Sequence, residues 1–371
     1  METLVKQCIS LQTPVLQDIV SKSVKACSYL DSFPITGYIK LTVKDGILTL
    51  ISTDNVNILK LQKSNIQGEI DIVVNARLFS SLIAKMSSPM IEISVEGNTV
   101  LVKGNGKYEI PLIKEDDGST VEMPSYSFDT NVSSNQITNS DIRNILTMNK
   151  SCKADMKEVP SLFNYYMDQE RVLTTNYFKA CNNPVKLFNS PVCLPPEIVE
   201  LLPVVADESG LTVQQNEDCV LFTSTNGTLY GKKAVAEDLA SYPVADLIEC
   251  MNEDYSYSCI VNKTLLSNAL DRLCLFTGDY DSNAVNLVFD NDKLTLTTKR
   301  CNTNESISYL QAPVMSDTTF SITLDAIFLK GQLASTPKED TTIKFGSESG
   351  IQLVCDKIVQ LSSCLGEEED I

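Results

Sequence analysis

Ala76-Arg77-Leu78-Phe79-Ser80-Ser81-Leu82-Ile83-Ala84-Lys85-Met86 is followed by Ile91-Glu92-Ile93-Ser94-Val95, the turn Glu96-Gly97-Asn98, and Val100-Leu101-Val102. Leu78, Leu82 and Met86 recur at helical spacing, so the first segment reads as a helix with those three inward; the next two alternate and read as a hairpin. The same order returns twice. Its second copy is Pro196-Glu197-Ile198-Val199-Glu200-Leu201-Leu202, then Leu211-Thr212-Val213, a turn around Asn216-Glu217-Asp218, and Val220-Leu221-Phe222. The third is Leu324-Asp325-Ala326-Ile327-Phe328-Leu329-Lys330, then Thr342-Ile343-Lys344-Phe345, and Ile351-Gln352-Leu353-Val354. A spacing of about 120 residues is that of a repeated domain and far exceeds a solenoid repeat.

Upstream of each copy lies a second helix and hairpin. Residues 13–30 form a helical stretch with Leu16, Val20, Val24 and Cys27 on one face, ahead of Tyr38–Val43, Lys44-Asp45-Gly46 and Ile47–Ile51. Residues 262–276, with Leu266, Leu270 and Leu273 inward, precede Val285–Phe289, Asp290-Asn291-Asp292 and Leu294–Thr297. Residues 140–150, with Ile142, Ile145 and Leu146 inward, precede strands near 162–166 and 171–175. Asp-Gly and Asn-Asp between alternating runs are hairpin signals. The expected fold is therefore α+β: three similar domains, each two copies of helix plus β-strands, at 1–124, 125–252 and 253–365, with an acidic tail at 366–371.

Of 371 residues 43% are hydrophobic and 21% charged, enough apolar surface for several cores. No apolar run could span a bilayer, and Met1-Glu2-Thr3-Leu4-Val5-Lys6-Gln7 lacks a basic segment followed by an apolar one, which points to a cytoplasmic protein. There are twelve Cys and no His, and no C-x-x-C pair. Reduced thiols, no metal and no cofactor are expected, and the commonest general base is missing. Asp116 and Asp117 could serve as paired carboxylates, but they stand in a turn with no Gly-rich phosphate loop nearby.

The net charge is −18, which on average opposes nucleic acid. The charge is segregated, however. Lys22, Lys25, Arg77, Arg143, Lys150, Lys153, Arg272 and Lys330 lie on or beside predicted helices, away from their apolar stripes. A mildly basic helical face on an acidic protein is one reading; Lys and Arg simply favouring helix surfaces is the other.

Leu48-Thr49-Leu50-Ile51-Ser52-Thr53-Asp54, Asn75-Ala76-Arg77-Leu78-Phe79 with Gly104-Asn105-Gly106-Lys107-Tyr108, and Asn262-Lys263-Thr264-Leu265-Leu266 with Asp271-Arg272-Leu273-Cys274-Leu275-Phe276 together resemble one family. It is the bacterial or phage-type DNA polymerase sliding clamp, the beta subunit of DNA polymerase III, and the likeness covers about residues 1–365. The resemblance implies a non-catalytic processivity factor. It would be a head-to-tail homodimeric ring around duplex DNA, helices inside and sheets outside, holding replicative polymerase and clamp loader by short linear motifs. It makes the eight cations above, Arg77 foremost, the DNA-facing candidates. It sets Tyr108 against Leu275 and Phe276 at the subunit contact.

The resemblance also assigns a partner-peptide pocket to Phe163, Thr175, Tyr177, Phe178, Lys179, Pro243, Leu247, Ile248, Val359 and Leu361. Here the chain departs from the family. The usual Thr-Asp-Gly-His-Arg-Leu reads Thr175-Asn176-Tyr177-Phe178-Lys179-Ala180, and the usual Met-Pro-Met-Arg-Leu end reads Leu361-Ser362-Ser363-Cys364-Leu365 with six residues beyond. Tyr177 in place of Gly would narrow or reshape the groove. Pro196-Glu197 stands where a basic pair often opens a helix. The alternative of another class is a repeat-built scaffold or virion structural protein, which shares the acidic surface and the lack of catalytic signatures.

Overall fold

The hairpins form where the turn chemistry asks for them. Tyr38–Lys44 pairs with Ile47–Thr53, and Asp45 and Gly46 between them both take positive φ (52° and 76°), the geometry of a two-residue type I′ turn. Ile39, Leu41 and Val43 alternate inward and meet Leu48 and Leu50, all buried, while Lys40 and Thr42 point the other way. The computed structural model describes residues 7–129, 132–155, 159–278, 282–298, 303–316 and 319–366. The acidic run 367–371 lies outside the described residues.

Helices are α1 (Thr13–Ser23), α2 (Ala76–Ala84), α3 (Asn139–Asn144), α4 (Lys150–Cys152), α5 (Pro196–Val199), α6 (Leu202–Val205), α7 (Ala236–Ala240), α8 (Val244–Met251), α9 (Lys263–Leu273) and α10 (Ala326–Ser335). A π-helical turn, Ile145–Asn149, joins α3 to α4. The repeat is visible in the caps. Asn75 accepts from the Leu78 N–H at 3.0 Å, Asn262 from the Leu265 N–H at 2.9 Å, and Asp325 from Ile327 and Phe328, so each helix opens on a side-chain oxygen filling its first unpaired donors.

The chain divides into two compact units, one of residues 1–139 with 197–233, the other of 140–196 with 234–371. The first holds a twelve-stranded antiparallel sheet. Its strand Lys107–Pro111 is one edge, and Ile58–Ser64 pairs with Gly227–Lys232 in its interior, which joins strands of the first and second sequence repeats in one sheet. In this unit α1 packs on α2, and Gln17 Nε2 donates to the carbonyls of Ile83 (3.0 Å) and Met86 (2.9 Å) at the α2 C-terminus. The second unit holds an eight-stranded and a four-stranded sheet. There Lys179–Asn183 pairs with Ile358–Ser363, and α10 packs on α9 and α4.

Two expectations about helix faces change. The α2 stripe is Ala76, Phe79 and Ile83; Leu78 is exposed and Leu82 half-buried, while Met86 is buried beyond the helix end. Phe79 brings more apolar area inward than Leu78 would, and in a helix of nine residues that ring decides the rotation. The first helix ends at Ser23, short of residue 30, followed by a 3₁₀ turn at Val24–Ala26. Its inward packing is carried by Leu16, Ile19 and Val20, with Val24 and Cys27 half-buried. All described cysteines are free thiols. No helix among the described residues is long and apolar enough to cross a membrane.

Candidate functional site

The partner-peptide candidates all fall in the second unit. Leu247 and Ile248 of α8 join Leu361 in one apolar cluster, together with Ala154, Leu162, Leu173, Ala180 and Tyr242. Pro243 precedes α8 as its cap residue. Val359 and Leu361 share one face of the strand Ile358–Ser363, opposite Asn182 and Ala180. Leu361 is only 3% exposed. The Ala154 N–H donates to the carbonyls of Thr175 (3.1 Å) and Leu162 (3.3 Å), which draws the start of the Thr175 turn to the segment carrying Phe163. Lys153 Nζ stands 3.8 Å over the Phe163 ring, so this lysine is directed to the peptide candidates rather than standing apart with the other cations.

The turn Thr175-Asn176-Tyr177-Phe178-Lys179 has a twin in the first unit. Thr175 Oγ1 accepts from the Tyr177 N–H and donates to the Lys179 carbonyl, both at 2.9 Å; Asn176 Oδ1 accepts from the N–H groups of Phe178 (3.1 Å) and Lys179 (3.0 Å). Thr53 and Asp54 make the same four bonds to Asn55, Val56 and Asn57. In both, the third residue is left-handed: Asn55 at φ 81°, Tyr177 at φ 74°. Asn tolerates that region; a bulky aromatic is an outlier there. This explains physically why a Gly suits the position. Tyr177 is held strained and 58% exposed at the tip.

Substituting Tyr177→Gly is accordingly expected to raise stability by about 0.5–1 kcal/mol, the relief of left-handed strain exceeding the extra freedom of the unfolded chain. Thermal unfolding checks this; a lowered midpoint would show that the ring packs usefully.

Beside the turn, the rings of Phe178 and Phe328 lie 6.1 Å apart, and Lys179 Nζ is 4.7 Å from the centre of Phe328. Beneath it is a polar layer that sequence reasoning missed. Gln360 points away from Leu361 and its Nε2 reaches the Met148 carbonyl (3.0 Å), Ser151 Oγ and Ser335 Oγ (both 2.9 Å); Gln332 Nε2 donates to the Leu361 carbonyl at 2.8 Å. Both glutamines are buried, and they tie α10 and the Asn139–Cys152 helical run to the strand bearing Val359 and Leu361. Tyr242, also missed, donates its hydroxyl to the Leu173 carbonyl at 3.1 Å, and burial pushes its phenol well above the ordinary tyrosine range. Phe328 could have been flagged by its place in the third repeat's helix; a Gln on a buried helix face leaves no signal.

The cations are placed in two groups. In the first unit Lys22 pairs with Asp18 at 2.8 Å, Lys25 is exposed on the 3₁₀ turn after α1, and the Arg77 guanidinium stands 4.6 Å over the Tyr29 ring. In the second, Arg143 and Lys150 are exposed on the Asn139–Cys152 helical run. Arg272 grips the Glu305 carboxylate through Nε at 2.7 Å and through its Nη2, and Lys330 pairs with Asp271. The arginine holds the Glu305 carboxyl below the ordinary range, and Glu305 in turn raises Arg272. Lys22, Arg272 and Lys330 are thus answered by carboxylates.

Of the subunit-contact candidates, Tyr108 is exposed on Lys107–Pro111, the edge strand of its sheet. Leu275, 79% exposed, and Phe276 follow α9 in a 3₁₀ turn. That helix packs on Asn304–Ser308, the edge of the four-stranded sheet. Tyr108 therefore sits on a strand edge able to accept another strand, and Leu275 and Phe276 present exposed apolar side chains at the end of a helix. Asp116 and Asp117 occupy the turn 115–119, where Asp117 accepts from the Ser119 N–H at 2.9 Å.

Residues 8–122 match the family described as DNA polymerase III beta subunit, N-terminal domain. No curated protein sequence matches the chain. Among solved structures, the DNA polymerase sliding clamp from Bacillus subtilis superposes with a TM-score of 0.79 at 18% identity, covering 98% of this chain and 99% of that one. The beta subunit from Streptococcus pyogenes gives 0.80 at 15%, with coverage of 96% and 99%. The Helicobacter pylori beta clamp bound to a DNA ligase peptide gives 0.77 at 14%, with 97% and 100%. Along nearly its full length the chain shares the α+β sliding-clamp fold, as the resemblance read from Thr53-Asp54, Asn75–Phe79 and Asn262–Leu266 implied.

Proposed function

We propose that this chain is a non-catalytic processivity clamp: three clamp domains, at 1–124, 125–252 and 253–365, whose homodimer closes head to tail around duplex DNA and tethers polymerase and loader. The observation that carries it is the likeness along nearly the full length of both chains, in a sequence whose own threefold repeat accounts for that length. A ring holds DNA topologically, so weak, sequence-blind phosphate contacts suffice and permit sliding. An acidic exterior with a faintly basic lining keeps the duplex inside. Edge strand Lys107–Pro111 of one protomer meets the Leu275–Phe276 end of the next, a heterologous contact that must close on itself. The Leu247, Ile248 and Leu361 cluster takes an apolar motif from partners; the Helicobacter pylori structure is of a beta clamp bound to a DNA ligase peptide. With Tyr177 and Phe178 at its rim, this pocket favours a motif other than the family's standard one.

Loading on nicked circular DNA tests the reading: the protein stays bound, and linearising the circle releases it. Retention indifferent to linearisation would favour the scaffold alternative. The ion pairs supply a finer test. Glu305→Gln frees Arg272 for phosphate, so duplex affinity should rise severalfold at low salt, with the salt slope steepening by about one. An unchanged slope would take Arg272 out of the lining.

A further inference from the structure

In the first unit a concavity of about 370 Å³ opens between the loop after α1 and the first turn of α2. Its walls include Tyr29, Leu30, Asp31, Pro34, Asn75 and Arg77. The loop is held in shape by Thr36, which is buried. Thr36 Oγ1 accepts from the Leu30 N–H at 2.9 Å and donates to the Phe33 carbonyl at 2.8 Å, and the Phe33 N–H donates to the Leu30 carbonyl at 3.0 Å. On this fixed frame Leu30 and Phe33 are left 46% and 47% exposed, although apolar. Tyr29 is kept left-handed, φ 55°, where Gly would be relaxed and an aromatic is strained. That conformation sets its ring under the Arg77 guanidinium, 4.6 Å away.

A guanidinium seated on an aromatic ring keeps a planar face for stacking and N–H edges for an anion. We propose that this concavity binds one unpaired nucleotide of a DNA strand, its base stacked on the Arg77–Tyr29 pair against Leu30 and Pro34, its phosphate met by the Arg77 edge. The volume suits a single small ligand, and a base within a duplex has its faces covered by its stacked neighbours, so a duplex base reaches the Arg77–Tyr29 pair only if it leaves the stack. Asp31 at the rim repels a second phosphate and accepts from base N–H groups, which selects a nucleotide over a bare polyphosphate. Stacking on every base face makes the site sequence-tolerant. The inference rests on the clamp reading only in that DNA is the polymer at hand; it would serve a frayed or single-stranded stretch next to the encircled duplex.

The test is fluorescence anisotropy of the full chain with labelled dT12 and, separately, a blunt duplex of equal length. Tyr29→Gly deletes the ring while suiting the backbone. It should weaken dT12 binding roughly tenfold and leave the duplex within twofold. Leu30→Ser, at an exposed position, should weaken dT12 in the same sense by removing an apolar wall without adding charge, and guards against a folding defect in the first variant. Unchanged dT12 affinity in both variants, or equal losses on both probes, overturns the proposal. Failure of wild-type protein to stay on nicked circles would instead remove the clamp reading and leave this comparison standing.

Discussion

Leu275→Asp is expected to turn a dimer of about twice 40.9 kDa into a monomer in sedimentation velocity, with no loss of thermal stability of the protomer. Leu275 is 79% exposed, so within one chain the new carboxylate stays in water. In the proposed ring the same side chain is buried against Tyr108 of the next protomer. An unpaired charge in such a contact costs about 3–5 kcal/mol, and a closed ring of two protomers makes the contact twice, so the dimer dissociation constant should rise by roughly 10⁴-fold or more. Phe276→Asp should act alike. A dimer that survives both would remove this turn from the interface and with it the head-to-tail closure.

Ile248→Asp should abolish capture of partner motifs, by about 2 kcal/mol or more, while sparing assembly. Ile248 is half-buried on α8, beside Leu247 and Leu361, so it meets an incoming apolar side chain without being essential to the core. Leu361 would be a poorer probe: at 3% exposure its truncation is expected to cost about 2–5 kcal/mol of stability and confuse binding with unfolding. Isothermal titration with a motif peptide from the cognate polymerase is the measurement. Unaltered affinity would mean that the apolar cluster is core alone.

The local devices were legible because they are written in consecutive residues. Asp45-Gly46 announces its hairpin, whereas Asn75, Asn262 and Thr53-Asp54 entered only as parts of the family likeness, and their capping and turn bonds are seen in the structure. Lys22–Asp18, four residues apart, is readable on the same terms. What escaped depends on partners distant in sequence. Glu305 lies 33 positions from Arg272, and nothing near Arg272 signals that its charge is answered. Gln360 reads as an ordinary polar residue until Met148, Ser151 and Ser335 are brought beneath it. The junction strands were hidden as well: that Ile58–Ser64 takes Gly227–Lys232, and Lys179–Asn183 takes Ile358–Ser363, follows from packing between repeats, which the pattern within a repeat does not encode. The α2 stripe was misread because Leu78 and Leu82 match the helical period as well as Phe79 and Ile83 do, and ring area decided between them.

The proposed activity depends on two copies enclosing a space large enough for duplex DNA. Single-particle imaging of the purified protein tests this directly. The account predicts closed annular particles of two protomers, with an open centre wide enough to admit a duplex. Solid particles, or copies stacked without an opening, would contradict it.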